Sequence, residues 1–196
     1  MWRGGRTISL EKLKKSLEEA SVVKKGEYFY VIHPITDGLP YIKPDLLEEV
    51  TCEMQKLIEK CGQIDKIVTM EAMGIPIATT LSLNMNIPFT IIRKRKYYFQ
   101  DEVTVEQKTG YSNLKLYING LKKGDKIVIV DDMLSTGGTI RVVLTALKKM
   151  GVIVKGVFIA VNKGNAAKEI TNESNVSITT LVNIDIIDGR VAIKMT

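Results

Sequence analysis

The sequence is poor in the residues that carry most metal and redox chemistry: 196 positions hold two cysteines and one histidine. Cys52 and Cys61 fall in one predicted helix about half a revolution out of phase. They make a poor disulfide or metal pair and read as free thiols of a reducing compartment. A lone histidine, His33, excludes a zinc cluster of several histidines and leaves little for a His-based triad. No apolar run approaches the roughly 18 residues that a membrane-spanning helix needs. Residues 1–26 are charged and lack the apolar core of a signal peptide. The expectation is a cytoplasmic protein with no membrane partner. No internal repeat and no low-complexity linker is present, and the length fits one domain over 1–196 with a sizeable core. Lys and Arg outnumber Asp and Glu by 28 to 22, a net charge of +6. Such an excess suits anionic small molecules as well as nucleic acid.

What is present centres on one stretch. Ile127-Val-Ile-Val130 is a short β-branched run after the Gly124-Asp125 turn signal, the pattern of a strand buried on both faces. Asp131 and Asp132 stand at its end. Ser135, Thr136, Gly137, Gly138 and Thr139 then form a small hydroxyl-rich loop, and 140–150 has helical spacing through Val143, Leu144 and Leu147. A loop between a strand and a helix N-terminus offers free N–H groups and a favourable dipole to an anion. Two glycines let that anion approach the backbone. The loop is neither GxxxxGK[ST] nor GxGxxG. A phosphate site one turn from two carboxylates, which accept from vicinal hydroxyls or hold a hydrated Mg2+, fits a ribose 5-phosphate.

Val128-Ile-Val-Asp-Asp-Met-Leu-Ser-Thr-Gly-Gly-Thr139 resembles, without a gap, the phosphoribosyl-pyrophosphate (PRPP) motif of type I phosphoribosyltransferases. The resemblance implies an α/β fold, an open parallel sheet flanked by helices, with a small hood and a flexible loop. It also implies Mg2+ as cofactor, PRPP, a purine base, a nucleoside monophosphate and pyrophosphate as ligands, and a homodimer. Residues 135–139 would hold the 5-phosphate, and Asp131 and Asp132 the ribose hydroxyls and part of a metal shell. Glu71, Ala72, Met73 and Gly74, after a second buried strand at 65–70, resemble the family's pyrophosphate loop, with Met73 where adenine enzymes usually carry Arg. Arg93 and Lys94 follow a third strand at 87–92. They resemble the family's Arg-Lys pair, placed to neutralise charge on the leaving pyrophosphate.

The rest of the chain supplies elements around that core. A short helix over 9–20 carries Leu10, Leu13 and Leu17, with Ser9 as N-cap. Residues 22–23 and 28–32 read as extended, 33–40 as a loop, and 44–61 as an amphipathic helix begun by Pro44 and ended by Gly62. Residues 1–40 form the N-terminal helix and base hood of the expected architecture. Residues 95–119 form its flexible active-site loop, with Glu106 or Tyr111 as a contact and 109–112 as Thr-Gly-Tyr-Ser. Strands are expected at 155–161, 176–184 and 186–193, the last antiparallel, with a short helix at 166–173.

The base is the open point. Residues 30–40, 66–75 and 109–112 are similar to archaeal purine phosphoribosyltransferases. Lys163, at a strand end beside the site, offers a donor to a 6-oxopurine, whereas the small Ser135 resembles the adenine enzymes. The expectation adopted is adenine, giving AMP, with hypoxanthine/guanine or xanthine as the alternative. By resemblance to the adenine enzymes' N-terminal hood, side chains near Tyr28 to Ile32, Tyr30 and Val31 among them, are expected to line the base. A rival from another class is a PRPP-sensing regulator on the same fold. It needs a nucleic-acid-binding element, for which the N-terminal 25 residues are too short, so no nucleic-acid partner is expected.

Overall fold

The computed structural model describes residues 10–108 and 113–194. Ser9 and the Thr109-Gly-Tyr-Ser112 segment lie outside them, and so do the roles expected there. The elements run in order α1 (Glu11–Glu18), β1 (Ser21–Lys25), β2 (Tyr28–Ile32), α2 (Pro34–Asp37), α3 (Pro44–Ile58), β3 (Lys66–Met70), α4 (Gly74–Met85) and β4 (Phe89–Ile92). They continue with β5 (Val103–Lys108), β6 (Asn113–Ile118), β7 (Lys126–Leu134), α5 (Gly138–Lys149), β8 (Ile153–Lys163), α6 (Ala166–Ser174), β9 (Ile178–Ile187) and β10 (Arg190–Lys194).

Six strands form one sheet in the order β10-β9-β8-β7-β3-β4, parallel except for β10 against β9. The α/β class and its flanking helices follow the expectation. Strand order turns back between β3 and β7: the chain leaves β3 for β4 on one side and returns to β7 on the other. Ligands of open α/β sheets sit beyond the strand C-termini at such a switch point. The motif residues of both strands therefore arrive at one cleft.

Each sheet face buries its own core. Leu13, Leu17, Val50, Met54, Val128, Val130 and Phe158 pack on one face, and Ile92, Ile127, Ile129, Val143, Leu147 and Ile159 on the other. The second core also takes Val105, Leu116 and Ile118. The segment expected as the active-site loop folds here as a β5–β6 hairpin with its base in the core. Backbone pairing of Arg93 with Tyr117, at 3.0 and 2.8 Å, fastens it to the end of β4.

The first-turn N–H groups of Lys12 and Leu13 in α1 donate to the Glu49 carboxylate of α3, at 3.2 and 2.7 Å. Three further expectations change. Residues 33–40 are not all loop: His33 caps the single turn α2, its Nδ1 accepting from the Ile35 N–H at 3.2 Å. β7 runs on through Asp131 and Asp132 to Leu134, because β8 extends to Lys163 and keeps pairing with it. β9 likewise passes Asp185 to Ile187, and the turn to β10 falls at Asp188-Gly189.

Candidate active site

β3 and β7 are parallel neighbours with Thr69 beside Val130, so Glu71, just past β3, faces the last turns of β7. One cleft of about 330 Å³ is lined by Glu71, Lys94, Asp131, Asp132 and all of residues 135–139. Four segments named from sequence thus meet: the loop after β3, the end of β4, the end of β7 and the start of α5. Gly74 lies beneath. A Cβ there would press on the Thr69 hydroxyl and stand 2.6 Å from Asp131 Oδ1. The glycine lets α4 pack against the strand that carries the carboxylates. Met73 reaches the other way, its Cε 3.4 Å from where a Cβ on Gly38 would be. The Glu71–Ala72 peptide is cis.

The two aspartates are electrostatically confined. Burial, then the neighbouring Asp132 charge, pushes Asp131 well above the usual carboxylate range, against the pull of Lys94. Burial likewise pushes Asp132 up to about 6, with the Asp37 carboxylate of α2 adding to the pressure. Asp131 Oδ1 accepts the Asp132 N–H at 3.1 Å. A crowded carboxylate pair gains from a cation or from hydroxyl donors. Among the described residues no group of three or more His, Cys, Asp and Glu could hold a metal ion. The donor set thus fits Mg2+ that brings most of its ligands as phosphate oxygens and water.

The phosphate-type cradle opens α5. Gly137 takes φ +74° at the N-cap, and no side chain caps the helix. Its first-turn N–H groups have no intrahelical partner and face the cleft with the positive end of the dipole. Gly137 is also sterically required, since a Cβ would collide with Ile170 and Ala166 of α6. Arg141 ties the loop to that helix. It donates to the Thr136 carbonyl at 2.7 Å and pairs with Glu169 and Glu173 at 2.9 and 2.8 Å.

Against Ser135 of the cleft stands the hairpin of β1 and β2, outside the six-strand sheet. The Tyr28 hydroxyl meets Ser135 Oγ at 2.5 Å, and the Lys163 ammonium donates to the Phe29 carbonyl while lying 3.6 Å from the Tyr28 ring centroid. Tyr30 is half exposed and packs edge-on against Tyr28, centroids 4.7 Å apart. Val31 does not line the cleft. Strand alternation turns it into the core, 6% exposed beside α1.

Arg93 and Lys94 part company. Lys94 lines the cleft, and its backbone N–H donates to Glu71 Oε1 at 2.8 Å. The Arg93 guanidinium pairs with Glu71 Oε2 at 2.9 Å and donates to the Tyr97 hydroxyl at 3.0 Å. Glu106 is ion-paired with Lys115 at 2.9 Å across the β5–β6 hairpin. Sequence reasoning missed the Phe29 carbonyl, Asp37 and Arg141. For Arg141 alone a signal existed: Glu169 and Glu173 are spaced one helical turn apart, a matched acidic face.

The chain matches the model of the phosphoribosyl transferase domain over residues 41–188. It is 50% identical over 183 residues to a hypoxanthine/guanine phosphoribosyltransferase of Methanocaldococcus infernus, covering 93% of this chain and 100% of that protein. It is 51% identical over 186 residues to one of Methanobacterium lacus, covering 94% and 96%. Among solved structures, adenine phosphoribosyltransferase of Giardia lamblia superposes with TM-score 0.74 at 16% identity, covering 90% of this chain and 98% of that one. That of Thermoanaerobacter pseudethanolicus superposes with TM-score 0.71 at 22% identity, covering 89% and 99%. At that distance the likeness is one of fold.

Proposed function

The chain belongs to the phosphoribosyltransferase family, and from that premise we propose that it transfers the phosphoribosyl group of PRPP to N9 of a 6-oxopurine, hypoxanthine or guanine. The adenine expectation gives way. The observation that carries the revised reading is the Lys163 ammonium, held against the ring of Tyr28, whose hydroxyl meets Ser135 of the cleft. An ammonium only donates, so it suits an oxo group and has nothing to accept from an exocyclic amine. The names of the relatives at about half identity support the same choice; the adenine enzymes are neighbours in fold only.

The chemistry asked of the protein is positioning and charge stabilisation. The C1–N9 bond forms as the bond from C1 to the pyrophosphate oxygen breaks, with inversion at C1, and the base loses its proton. The α5 N-terminus with Thr136 and Thr139 binds the 5-phosphate. Asp131 and Asp132 accept from the ribose hydroxyls. The Glu71–Gly74 loop and Lys94 stand at the pyrophosphate, with Arg93 delivered to the loop through Glu71. Mg2+ would neutralise phosphate charge there, held by substrate oxygens and the two aspartates. The β5–β6 hairpin covers the flank and helps exclude water from the reacting carbon. Tyr97, Tyr98 and Phe99, all exposed beside this site, fit burial against a second copy in a homodimer, and the setting is the cytoplasm.

The test is a base panel. Purified protein with Mg2+ and PRPP is given hypoxanthine, guanine, xanthine or adenine, and pyrophosphate release is followed. IMP and GMP formation, lost at least tenfold in Lys163→Met, is the expected result. AMP from adenine alone would overturn the base assignment. No product from any base would favour a PRPP-sensing regulator.

A further inference from the structure

The β1–β2 hairpin lies outside the six-strand sheet, yet one of its side chains touches a residue that lines the cleft. Tyr28 touches two residues far from it in sequence. Its hydroxyl is hydrogen-bonded to Ser135 Oγ, at the end of β7. Its ring face lies against the Lys163 ammonium, at the end of β8. Tyr30, packed edge-on at 4.7 Å, fixes the plane of the Tyr28 ring.

Resting on the 6-oxopurine reading, we propose that Tyr28 is the positioning residue of the base site: its phenol holds the Ser135 hydroxyl and the Lys163 ammonium in register for one purine edge. Three arguments support this. A free lysine side chain has many rotamers to lose on binding, and a ring face on one side with the Phe29 carbonyl on the other removes that freedom before substrate arrives. The ammonium has three N–H groups; one goes to the Phe29 carbonyl and one faces the Tyr28 ring, so one remains for the base. Ser135 and Tyr28 are each donor and acceptor, so the pair keeps a hydrogen-bonding group to offer a ring nitrogen in either protonation state. A site whose contacts are held in place avoids ordering costs on binding.

Tyr28→Phe keeps the ring under the ammonium and removes only the hydroxyl; Tyr28→Leu removes both. Steady-state constants for each base and for PRPP, with thermal unfolding of each variant, separate the roles. In Tyr28→Phe the KM for the preferred base should rise about tenfold, the worth of one hydrogen bond, with the KM for PRPP unchanged. Tyr28→Leu should add roughly another tenfold for the lost cation–π contact and narrow the preference for oxo- over aminopurine. Base KM values within twofold of wild type in Tyr28→Phe would overturn the proposal. So would base and PRPP constants that move together with a lowered Tm, which marks a purely structural residue. The wild type is run on hypoxanthine, guanine and adenine in the same assay. A wild type that prefers adenine overturns the 6-oxopurine reading alone, and the Tyr28 comparison is then read on the adenine KM.

Discussion

Replacing Asp132 with Asn should stabilise the unliganded protein at neutral pH while disabling it. Burial pushes Asp132 up to about 6 from an ordinary value of 3.8. The folded state therefore binds a proton more tightly than the unfolded chain. Stability from this group is fully present below about pH 4 and is lost as pH rises through about 6. At 1.36 kcal/mol per unit the cost of ionisation near pH 7 is at most about 3 kcal/mol. The cleft is open to water, which relaxes part of that cost and leaves about 1–2 kcal/mol. Asn has nearly the same shape and cannot ionise. For a chain of this length, about 2–4 °C per kcal/mol gives a Tm gain of about 2–8 °C at pH 7.5 and almost none at pH 4. Turnover should fall about ten- to a hundredfold, the worth of a charged hydrogen bond to a ribose hydroxyl or to the metal shell. Thermal unfolding by circular dichroism at both pH values, with pyrophosphate release at pH 7.5, checks all three. A variant that melts below wild type at pH 7.5, or gains equally at pH 4, refutes the electrostatic reasoning; near-normal turnover refutes the site.

Other consequences are as direct. Gly74→Ala forces a methyl against Thr69 and Asp131; overpacking of this kind costs about 1–3 kcal/mol, so a lower urea midpoint should accompany reduced turnover. Arg141→Ala frees the Thr136 carbonyl and unpairs Glu169 and Glu173; titration should show weaker PRPP binding by several-fold with base affinity unchanged. His33 is fully buried and its pKa is lowered to about 4 from 6.5 by burial. Its stabilising contribution is complete above pH 6.5 and is lost as pH falls through 4. His33→Gln should be less stable at pH 7, since the Ser16 and Ile35 contacts change, yet show a flatter loss of stability between pH 6.5 and 4. A parallel slope in that variant would assign the acid sensitivity elsewhere.

Much of the candidate cleft's lining was readable before any fold was known, and the reason is locality. From Ile127 to Thr139 the apolar run, the two acids, the paired glycines and the following helix are contiguous. Their chemistry needs only a strand that ends where a helix begins. The same holds for Glu71 to Gly74 after the second strand, and the alternation of strands and helices fixed the parallel sheet. Other features rest on groups distant along the chain. Glu49 accepts from the first turn of α1 although it stands on another helix. β7 carries its aspartates inside a strand because β8 continues to pair beside them. Tyr28 reaches Ser135, and Lys163 reaches the Phe29 carbonyl, only because the N-terminal hairpin folds over the ends of β7 and β8. The proposed base preference draws on that meeting. In sequence, Ser135 and Lys163 were separate clues pointing to different bases; in the fold one phenol joins them. Hydrogen bonds and ring contacts act over a few ångströms of space, whatever the distance along the chain, so tertiary structure alone decided which of these side chains share a site.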